Sequence, residues 1–407
     1  MPMQINSSMP VLESTGHFPI EKINELSAFD SHVVGIIHRI GREWVRPWAF
    51  GVRKVVQLFK AHQKITALML GILTIVTMPL ALPGLLIRTV TIHFFQKSLT
   101  FSSALKLTEM ESNKEQFSIM TWNTALGPGF MTEANELKGS SERIEGIVAK
   151  ICQEKPDIVC MQEVFDLDAA EDLAQNLRKQ GYDCIYNVNP HATRLPSGLF
   201  VAVAQSKEVK FHIEAASCWR FNNLQGVDAL SSKGLMGIKM RLETKNKAPM
   251  LLHLFNTHLQ SSYADSSYAE IRKEQMQAIA KTMQDWAKKE ETEEKSYSIL
   301  CGDLNFSNHP PEESDIPNEY NDQMEVLHKD QFNPLHVLQH IKNPGTLHSP
   351  KEHGATVDYI LLDHDLGMDD VKARVLPLKN FESDHLPVIT EVSLRQTPKT
   401  SSPTFNV

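Results

Sequence analysis

Polar residues that can bind a metal ion or transfer a proton stand at the ends of six short apolar runs in this sequence. Placing such a group in or beside an apolar strand is costly unless it is paired or binds an ion. One case would be an ordinary core group with satisfied hydrogen bonds, whereas six in succession at strand ends, where loops gather, predict one shared site. They are Asn123, Glu163, Asn256 with His258, Asp303 with Asn305, Asp358, and Asp384 with His385.

These residue types favour metal-assisted hydrolysis of a phosphate ester. The oxygens of Glu163 and Asn123 are hard ligands suited to Mg²⁺, with Mn²⁺ as the alternative, and Mg²⁺ takes only one or two protein carboxylates. A zinc site would need more His and Cys ligands than these runs provide. A His close to an Asp can act as general base near neutral pH. Asp358 or Asp384 could fill that role for His385.

From Phe117 to about Leu394 the sequence resembles the endonuclease/exonuclease/phosphatase superfamily, the DNase I-like fold. The segments MTWNT, MQE, THLQ, GDLN, DYI and SDHLPV are similar to the successive motifs of that superfamily and occur in the same order. Each motif alone is weak, but the ordered set is specific. The resemblance implies an α/β fold, a four-layer sandwich in which two mixed β-sheets pack face to face with helices outside.

The resemblance also implies a metal site. Glu163 would be the principal Mg²⁺ ligand, and Asn123 would help to place the metal and the phosphate. Asp384 would lie near the metal or near the general base.

Five further residues would carry the reaction if the resemblance holds. His385 would be the general base, steered by Asp358, while Asp303 would orient or deprotonate the attacking water. Which of Asp303 and His385 takes the proton is left open. Asn305 would hydrogen-bond the scissile phosphate as negative charge develops, and His258 would donate to a phosphate oxygen or to the leaving oxygen.

Within the superfamily the sequence is most similar to neutral sphingomyelinases. Four parts of the sequence match segments of that group. They are EVFDLDAAEDLAQNL beginning at Glu163, SGL at 197–199, KG at 233–234, and NTHLQ followed by IRKEQM. The match places Lys233 and Asn256 in substrate binding, although an exposed lysine at a strand end is an equal alternative for Lys233. Arg272 is expected to be a solvated helix residue.

Three other functions remain open but fit the sequence less well. Inositol polyphosphate 5-phosphatases carry arginines that the corresponding stretches GDLNFSN and NFESDHLP lack. Nucleases need basic loops that face DNA, whereas residues after 110 carry a net charge of −13 and residues 1–110 a net charge of +5. We therefore expect no specific nucleic-acid partner. A scaffold protein without catalytic activity would not need Glu163 or His385, and both are present.

The N-terminal region is basic and apolar, as expected of a segment that associates with a membrane through residues 34–107. Residues 33–64 predict a basic amphipathic helix, or a pair of helices, that lies in a membrane interface or packs on the body of the protein. Residues 65–87 contain no charge and suffice to cross the hydrocarbon once. Because Pro79, Pro83 and Gly84 would break or kink a helix, a straight span and a re-entrant hairpin both remain open.

The sequence thus predicts a membrane-associated Mg²⁺-dependent phosphodiesterase that releases phosphocholine from sphingomyelin. Its regions are a membrane-associating segment over 1–107, a catalytic domain over 108–395 and a flexible tail over 396–407. Predicted strands are Phe117–Trp122, Ile158–Met161, Leu199–Ala204, Leu251–Asn256, Ser298–Gly302 and Val357–Leu362, and predicted helices are Arg143–Glu154, Asp166–Gln180 and Glu270–Lys295.

Overall fold

Two β-sheets of seven strands each bring the polar strand ends together in a computed structural model of the chain. The structure describes residues 11–19, 40, 44, 51, 54–55, 64–95, 99–107, 116–129, 132, 135–187, 194–206, 209–244, 247–262, 268–288, 296–307, 319–329, 336–337, 345–347, 355–363, 366 and 373–393.

The first sheet pairs β9 with β10 in parallel, while its other neighbouring strands are antiparallel. Its order is β1 (Leu12–Pro19), β7 (Val209–Phe221), β8 (Gly234–Thr244), β9 (Lys247–His258), β10 (Ser296–Asp303), β12 (Asp358–Leu362) and β11 (His336–Val337).

The second sheet has the same mixed character, because only β3 and β4 are parallel. Its order is β13 (Ala373–Val375), β14 (Val388–Ser393), β3 (Gln116–Asn123), β4 (Ile158–Gln162), β6 (Phe200–Ala204), β5 (Tyr182–Asn187) and β2 (Leu99–Ser102).

The sheets pack face to face through alternate residues of their strands, and helices cover both outer faces. The central core joins side chains of both sheets, among them Ile119, Ile158 and Val201 with Ile238, Leu254 and Ile299. The outer face of the second sheet is covered by α2 (Ser140–Glu154) and α3 (Leu167–Lys179). The outer face of the first sheet is covered by α4 (Tyr268–Lys288) and α5 (Tyr320–Lys329). The predicted four-layer α/β sandwich is confirmed.

All six predicted strands and all three predicted helices are present with shifted ends. The boundary predicted between residues 107 and 108 leaves two strands of the sandwich on its N-terminal side, because β1 pairs with β7 and β2 pairs with β5. The apolar residues of each edge strand add to a core of the sandwich, Leu12 to one and Leu99 and Phe101 to the other. Each sheet therefore takes one edge strand from the region assigned to the membrane. The tail predicted over 396–407 lies outside the described residues.

The apolar segment forms a single helix, α1 (Lys64–Phe95), which runs through Pro79 and Pro83 without a break. Residues Leu68–Ile87 have a mean hydropathy of 2.2, so that within the described chain α1 is long and apolar enough to cross a membrane. A hairpin inside residues 65–87 is thereby excluded. The basic helix predicted over 33–64 lies mostly outside the described residues, although Ile40, Trp44 and Gly51 within it are helical.

Candidate active site

Four strands of the two sheets end at the site. Asn123 is the last residue of β3, and Glu163 immediately follows β4. In the other sheet His258, Asp303 and Asp358 are direct partners across β9, β10 and β12. Because carboxyl ends of parallel strands meet at one edge of a sheet, the two parallel pairs place these polar side chains in one cleft. The sequence prediction of a shared site agrees with this placement.

Small residues allow the strand ends to approach each other closely. A Cβ atom on Gly302 would lie 2.1 Å from the carbonyl oxygen of Thr257, so only glycine fits beside Asp303. Gly198 has a φ of +72°, and a Cβ atom there would lie 3.1 Å from the Cα atom of Glu163. The SGL segment thus supports the backbone of Glu163, which itself has a φ of +60°. A non-glycine residue in this conformation stores strain.

Asn123 orients two carboxylates. Its Nδ2 atom donates to Oε1 of Glu163 at 3.0 Å and to Oδ2 of Asp303 at 2.9 Å. Its Oδ1 atom accepts the backbone N–H of Ala125 at 3.1 Å. The role of Asn123 as a metal ligand stays a prediction, since its amide oxygen accepts one backbone N–H and has a second lone pair. These hydrogen bonds hold the carboxylates of Glu163 and Asp303 next to each other.

His385 is held in place by Asp358. Its Nδ1 atom lies 2.9 Å from Oδ2 of Asp358, and its Nε2 atom lies 3.9 Å from Oδ2 of Asp303. The His385 backbone is fixed as well, since its carbonyl accepts from Trp122 and its N–H donates to Ser383. Of the two carboxylates that the sequence left open as partner of His385, Asp358 is therefore the one in contact.

Burial and neighbouring charges shift the pKa values of three side chains in the site. Burial, followed by the charge of Asp358, raises the pKa of Asp303 to about 7. Burial and then Asp384 raise the pKa of Glu163. Burial alone would lower the pKa of His385, but Asp358, Asp303 and Asp384 together raise it well above its usual value. Buried acids crowded in this way favour a proton or a cation between them.

Two overlapping groups of side chains could hold a metal ion, each with its ligand atoms within 4.8 Å of one another. One consists of Glu163, His258 and Asp303, and the other of Asp303, Asp358 and His385. Asp303 belongs to both and stands at the centre of the cleft. In the described part of the chain, neither group contains a cysteine.

His258 is buried in the cleft. Burial, followed by the charges of Lys233 and His385, lowers its pKa well below the usual value. Its Nε2 atom is 3.4 Å from Oδ2 of Asp303. Among the described residues, neither ring nitrogen has a hydrogen-bond partner. A buried polar atom without a partner at a site of this kind points to a ligand.

Asn305 and Asp384 lie at the rim. The Asn305 backbone N–H donates to Oδ1 of Asp303 at 3.0 Å, and its side chain donates to the carbonyl of Leu259. Asp384 accepts from the side chain of Asn135 at 2.9 Å. Asp384 is not among the residues whose ligand atoms cluster within 4.8 Å in the described chain, so it reaches the site through its charge on Glu163.

Asn256, which the sequence placed in substrate binding, makes its contacts inside the fold. Its side chain is fully buried between the two sheets. Its Nδ2 atom donates to the carbonyls of Met161 and Phe200, and its Oδ1 atom accepts from Gln162 at 2.7 Å. Asn256 therefore ties β9 to β4 and β6.

Lys233 is buried rather than exposed. Its ammonium donates to Asp228 at 2.8 Å, to Ser261 at 2.9 Å and to the carbonyl of Leu259 at 3.2 Å. An ammonium has three donors, so these contacts occupy all of them, and the prediction of a direct contact with substrate is not supported. Lys233 still acts on the site through its charge, which lowers the pKa of His258.

Two buried arginines support the loops of the site and were not predicted. Arg143 donates to the carbonyls of Thr124, Ala125 and Glu382, so it fastens the loop after Asn123 to the loop before His385. Burial lowers its pKa to about 10, against the opposing charges of Asp384 and Glu163.

Arg272, expected to be solvated, is fully buried. It pairs with both carboxylate oxygens of Glu319 and donates to the carbonyl of Gln260. The sequence carries a signal for both arginines, because each lies on the apolar stripe of an amphipathic helix, beside Ile144 in α2 and Ile271 in α4.

Comparison with known proteins agrees with this architecture. The model of endonuclease/exonuclease/phosphatase family 2 matches residues 120–343. The chain is 32% identical over 170 residues to sphingomyelin phosphodiesterase 5 of Danio rerio, a match that covers 39% of this chain and 30% of the relative. It is 27% identical over 230 residues to sphingomyelin phosphodiesterase 5 of Mus musculus, covering 47% and 46%. The chain thus spans less than half the length of these relatives.

Among solved structures, sphingomyelinase C from Streptomyces griseocarneus has a similar fold. The two structures superpose with a TM-score of 0.50 at 20% identity, over 68% of this chain and 99% of that chain. At this identity the likeness concerns the fold alone.

Proposed function

This chain belongs to endonuclease/exonuclease/phosphatase family 2, and from that premise we propose that it is a metal-dependent phosphodiesterase that hydrolyses a membrane phospholipid. The preferred substrate in this proposal is sphingomyelin, which is cleaved to ceramide and phosphocholine. The observation that carries the proposal is the placement of His385, paired with Asp358, opposite Asp303 in the cleft that also holds Glu163 and His258. The similarity to two sphingomyelin phosphodiesterases supports the choice of substrate.

The donor set of the cleft fits a hard divalent cation. Glu163 and Asp303 offer carboxylate oxygens, and burial together with a neighbouring carboxylate raises the pKa of each. Mg²⁺, with Mn²⁺ as the alternative, would be held by these carboxylates and would neutralise the phosphoryl oxygens. Asn123 keeps both carboxylates aimed into the cleft.

The protein side chains orient the attacking water and handle its proton. The 3.9 Å between Nε2 of His385 and Oδ2 of Asp303 exceeds a direct hydrogen bond, and one water molecule can bridge such a gap. In the proposed reaction this water attacks the phosphorus while His385 or Asp303 accepts its proton. Asp358 stabilises the imidazolium that results from transfer to His385. The ring of His258 donates to a phosphate oxygen or to the leaving oxygen.

Association with a membrane is part of the proposal. The apolar residues of α1 include Leu68, Ile75 and Leu80, which expose more than half of their surface. Residues 34–64 contain seven Lys and Arg residues, which suit an anionic lipid surface. An enzyme held at the surface by the part of residues 34–107 that precedes β2 would meet a lipid substrate at high effective concentration.

The test is an assay of the full-length protein on vesicles that contain sphingomyelin, phosphatidylcholine or a phosphoinositide, and on DNA, each with Mg²⁺ or with EDTA. We expect phosphocholine release from sphingomyelin that requires Mg²⁺. The His385→Ala variant should be inactive, and His212→Ala is the matched control because His212 is an exposed residue of β7. Hydrolysis of the phosphoinositide alone would change the substrate class, and cleavage of DNA alone would end the lipid proposal.

A further inference from the structure

The short loop that follows β9, residues 259–262, is hydrogen-bonded to the strand end that carries Asp303 and Asn305. The backbone N–H of Leu259 donates to the carbonyl of Asp303 at 3.0 Å. The carbonyl of Leu259 accepts from the side chain of Asn305 at 3.1 Å. The hydroxyl of Ser262 donates to the carbonyl of Asn305 at 3.0 Å. This segment, called the β9 loop below, therefore holds both the backbone and the side-chain amide of Asn305.

Asn305 depends on this support for its conformation and for its direction. Its φ of +55° lies in the left-handed region, which a non-glycine residue adopts at a cost that the surrounding structure must offset. An amide nitrogen carries two hydrogens, and one of them is donated to the carbonyl of Leu259. The second hydrogen is the one that the proposed contact with a phosphate oxygen would use, so the position of Leu259 sets its direction.

Two buried side chains of α4 hold the β9 loop from the opposite side. The guanidinium of Arg272 donates to the carbonyl of Gln260 at 3.0 Å. The side chain of Gln275 accepts the backbone N–H of Gln260 at 3.0 Å. Arg272 and Gln275 are both fully buried. The remaining donors of Arg272 pair with the carboxylate of Glu319, so the guanidinium is fixed in one orientation.

An ion pair at this depth does more than hold two helices together. The helices α4 and α5 already pack through apolar side chains of one core cluster, Met276 and Met324 among them. Apolar residues of similar volume can replace a buried ion pair with little loss of stability or with a gain. An apolar pair could not supply the hydrogen bond from Arg272 to the carbonyl of Gln260. This third contact is therefore the one that calls for an arginine.

We propose that Arg272 is a positioning residue for the hydrolysis and that it acts through the β9 loop on Asn305. Glu319 fixes the guanidinium, the guanidinium fixes the carbonyl of Gln260, and the loop directs the amide of Asn305 toward the phosphate. Arg272 does not contact the substrate in this proposal. The inference rests on the proposed function, because it assigns Arg272 to the same reaction.

Hydrogen–deuterium exchange of the full-length protein tests the contact between Arg272 and the β9 loop. Arg272→Lys keeps the positive charge but loses the planar fork that reaches both Glu319 and Gln260. A lost hydrogen bond to a charged group should make the amides of the β9 loop exchange about tenfold faster. Gln275→Met is a second variant, because it removes the acceptor of the Gln260 N–H without leaving a buried charge.

The matched control is Met283→Ala, which removes a fully buried side chain of the same helix from the core. It should lower the stability of the whole protein. Exchange in the β9 loop should then rise no more than exchange in β9 and β10. The comparison separates a local effect on the loop from a general loss of stability.

A double-mutant cycle tests whether Arg272 acts through Asn305. Asn305→Gly removes the amide and tolerates the φ of +55°. The substrate is a water-soluble short-chain sphingomyelin with Mg²⁺, at a temperature where every variant is folded. Alone, Arg272→Lys should lower kcat about tenfold and leave KM unchanged, as expected for an interaction made only in the transition state. In the Asn305→Gly background it should lower kcat by less than about twofold, because contacts that act as one unit are not additive.

Three results would overturn the role of Arg272. They are wild-type exchange of the β9 loop in both Arg272→Lys and Gln275→Met, a loss of kcat that adds in full to that of Asn305→Gly, and a higher KM at unchanged kcat. The exchange experiment uses no substrate, so it decides whether Arg272 holds the loop whatever the chain hydrolyses. Absence of hydrolysis by the wild-type protein would count against the proposed function instead.

Discussion

The Nδ1 atom of His385 lies 2.9 Å from Oδ2 of Asp358, so a side chain from the loop before β14 in one sheet is held by the first residue of β12 in the other. The pair therefore depends on how the two sheets pack. Asp358 also acts on the imidazole through its charge, since it is the main cause of the raised pKa of His385. This relationship connects the fold directly to the proposed reaction.

Asp358→Asn should reduce activity and move its dependence on pH. Replacing the carboxylate by an amide removes the charge that raises the pKa of His385, so the pKa falls. If His385 accepts the proton, the acidic limb of the kcat/KM profile should move to lower pH, while kcat falls by about 10²-fold or more. Steady-state kinetics between pH 5 and pH 9 on sphingomyelin micelles measures both effects. If the acidic limb stays at the same pH and kcat is unchanged, His385 and Asp358 do not take part in the reaction.

Metal binding should become weaker as the pH falls below 7. Burial and the charge of Asp358 raise the pKa of Asp303 to about 7, so below this pH the cation must displace a proton from it. The apparent affinity for Mg²⁺ should then fall by up to about tenfold per pH unit. Calorimetric titration of the full-length protein at pH 8, 7 and 6 measures this dependence. An affinity that is constant over this range would contradict the placement of the metal at Asp303.

The same shift predicts the sign of a change in stability. The pKa of Asp303 in the folded protein lies above its ordinary value, so its contribution to stability is complete at low pH. That contribution is lost as the pH rises through about 7. Mg²⁺ should therefore raise the Tm more at pH 8 than at pH 6, as thermal scans with and without the ion will measure. In the Asp303→Asn variant, the rise in Tm caused by Mg²⁺ should differ less between pH 8 and pH 6.

Arg143 should be essential for the site although it does not enter the cleft. Arg143→Lys keeps the charge but loses the planar fork that reaches the carbonyls of Thr124, Ala125 and Glu382. Buried carbonyls left without donors should lower the free energy of unfolding by about 2–4 kcal/mol, and kcat should fall because the His385 loop is released. Urea unfolding and kinetics measure both quantities. The matched control is Arg374→Lys, an exposed arginine, which should change neither.

Asn256→Ala separates a structural role from substrate binding. The variant leaves Gln162 and the carbonyls of Met161 and Phe200 without their partner. We expect the free energy of unfolding to fall by about 1–3 kcal/mol while KM for sphingomyelin stays unchanged. Urea unfolding and steady-state kinetics report the two effects separately. A higher KM at unchanged stability would restore the role in substrate binding that the sequence suggested.

The ordered motifs made most of the catalytic fold predictable, since the strands that end in Asn123, Glu163 and Asp303 are continuous apolar runs. The functions of Asn256 and Lys233 were not predictable in this way, because each depends on residues far away in sequence that pack against it. Asn256 contacts the other sheet, and Lys233 contacts Asp228 and the loop after β9.

The edge strands were missed for a different physical reason. The sequence of β1, LESTGHFP, includes a glycine and a proline and lacks a regular alternation of polar and apolar residues. An edge strand pairs on one side only, and hydrogen bonds of the backbone to β7 do not require a particular side-chain pattern. Sequence patterns therefore located the centre of each sheet and missed the strands that join the sandwich to α1.

Two deletions test whether residues 20–98 lie between two strands of the catalytic fold, β1 and β2, or in front of that fold. Removing residues 1–107 takes away β1 and β2, leaving one unpaired edge in each sheet and exposing core around Leu99 and Phe101. We expect this variant to be less stable by several kcal/mol, about 1.5–3 for each large apolar side chain whose burial is lost.

Replacing residues 22–96 by a flexible Gly/Ser linker keeps both strands. The second variant should unfold at the same urea concentration as the full-length protein, hydrolyse a water-soluble substrate at the same rate and no longer sediment with vesicles. Equal stability of the two deletions would contradict the pairing of β1 and β2, and sedimentation of the linker variant with vesicles would show that the membrane contact lies in the sandwich itself.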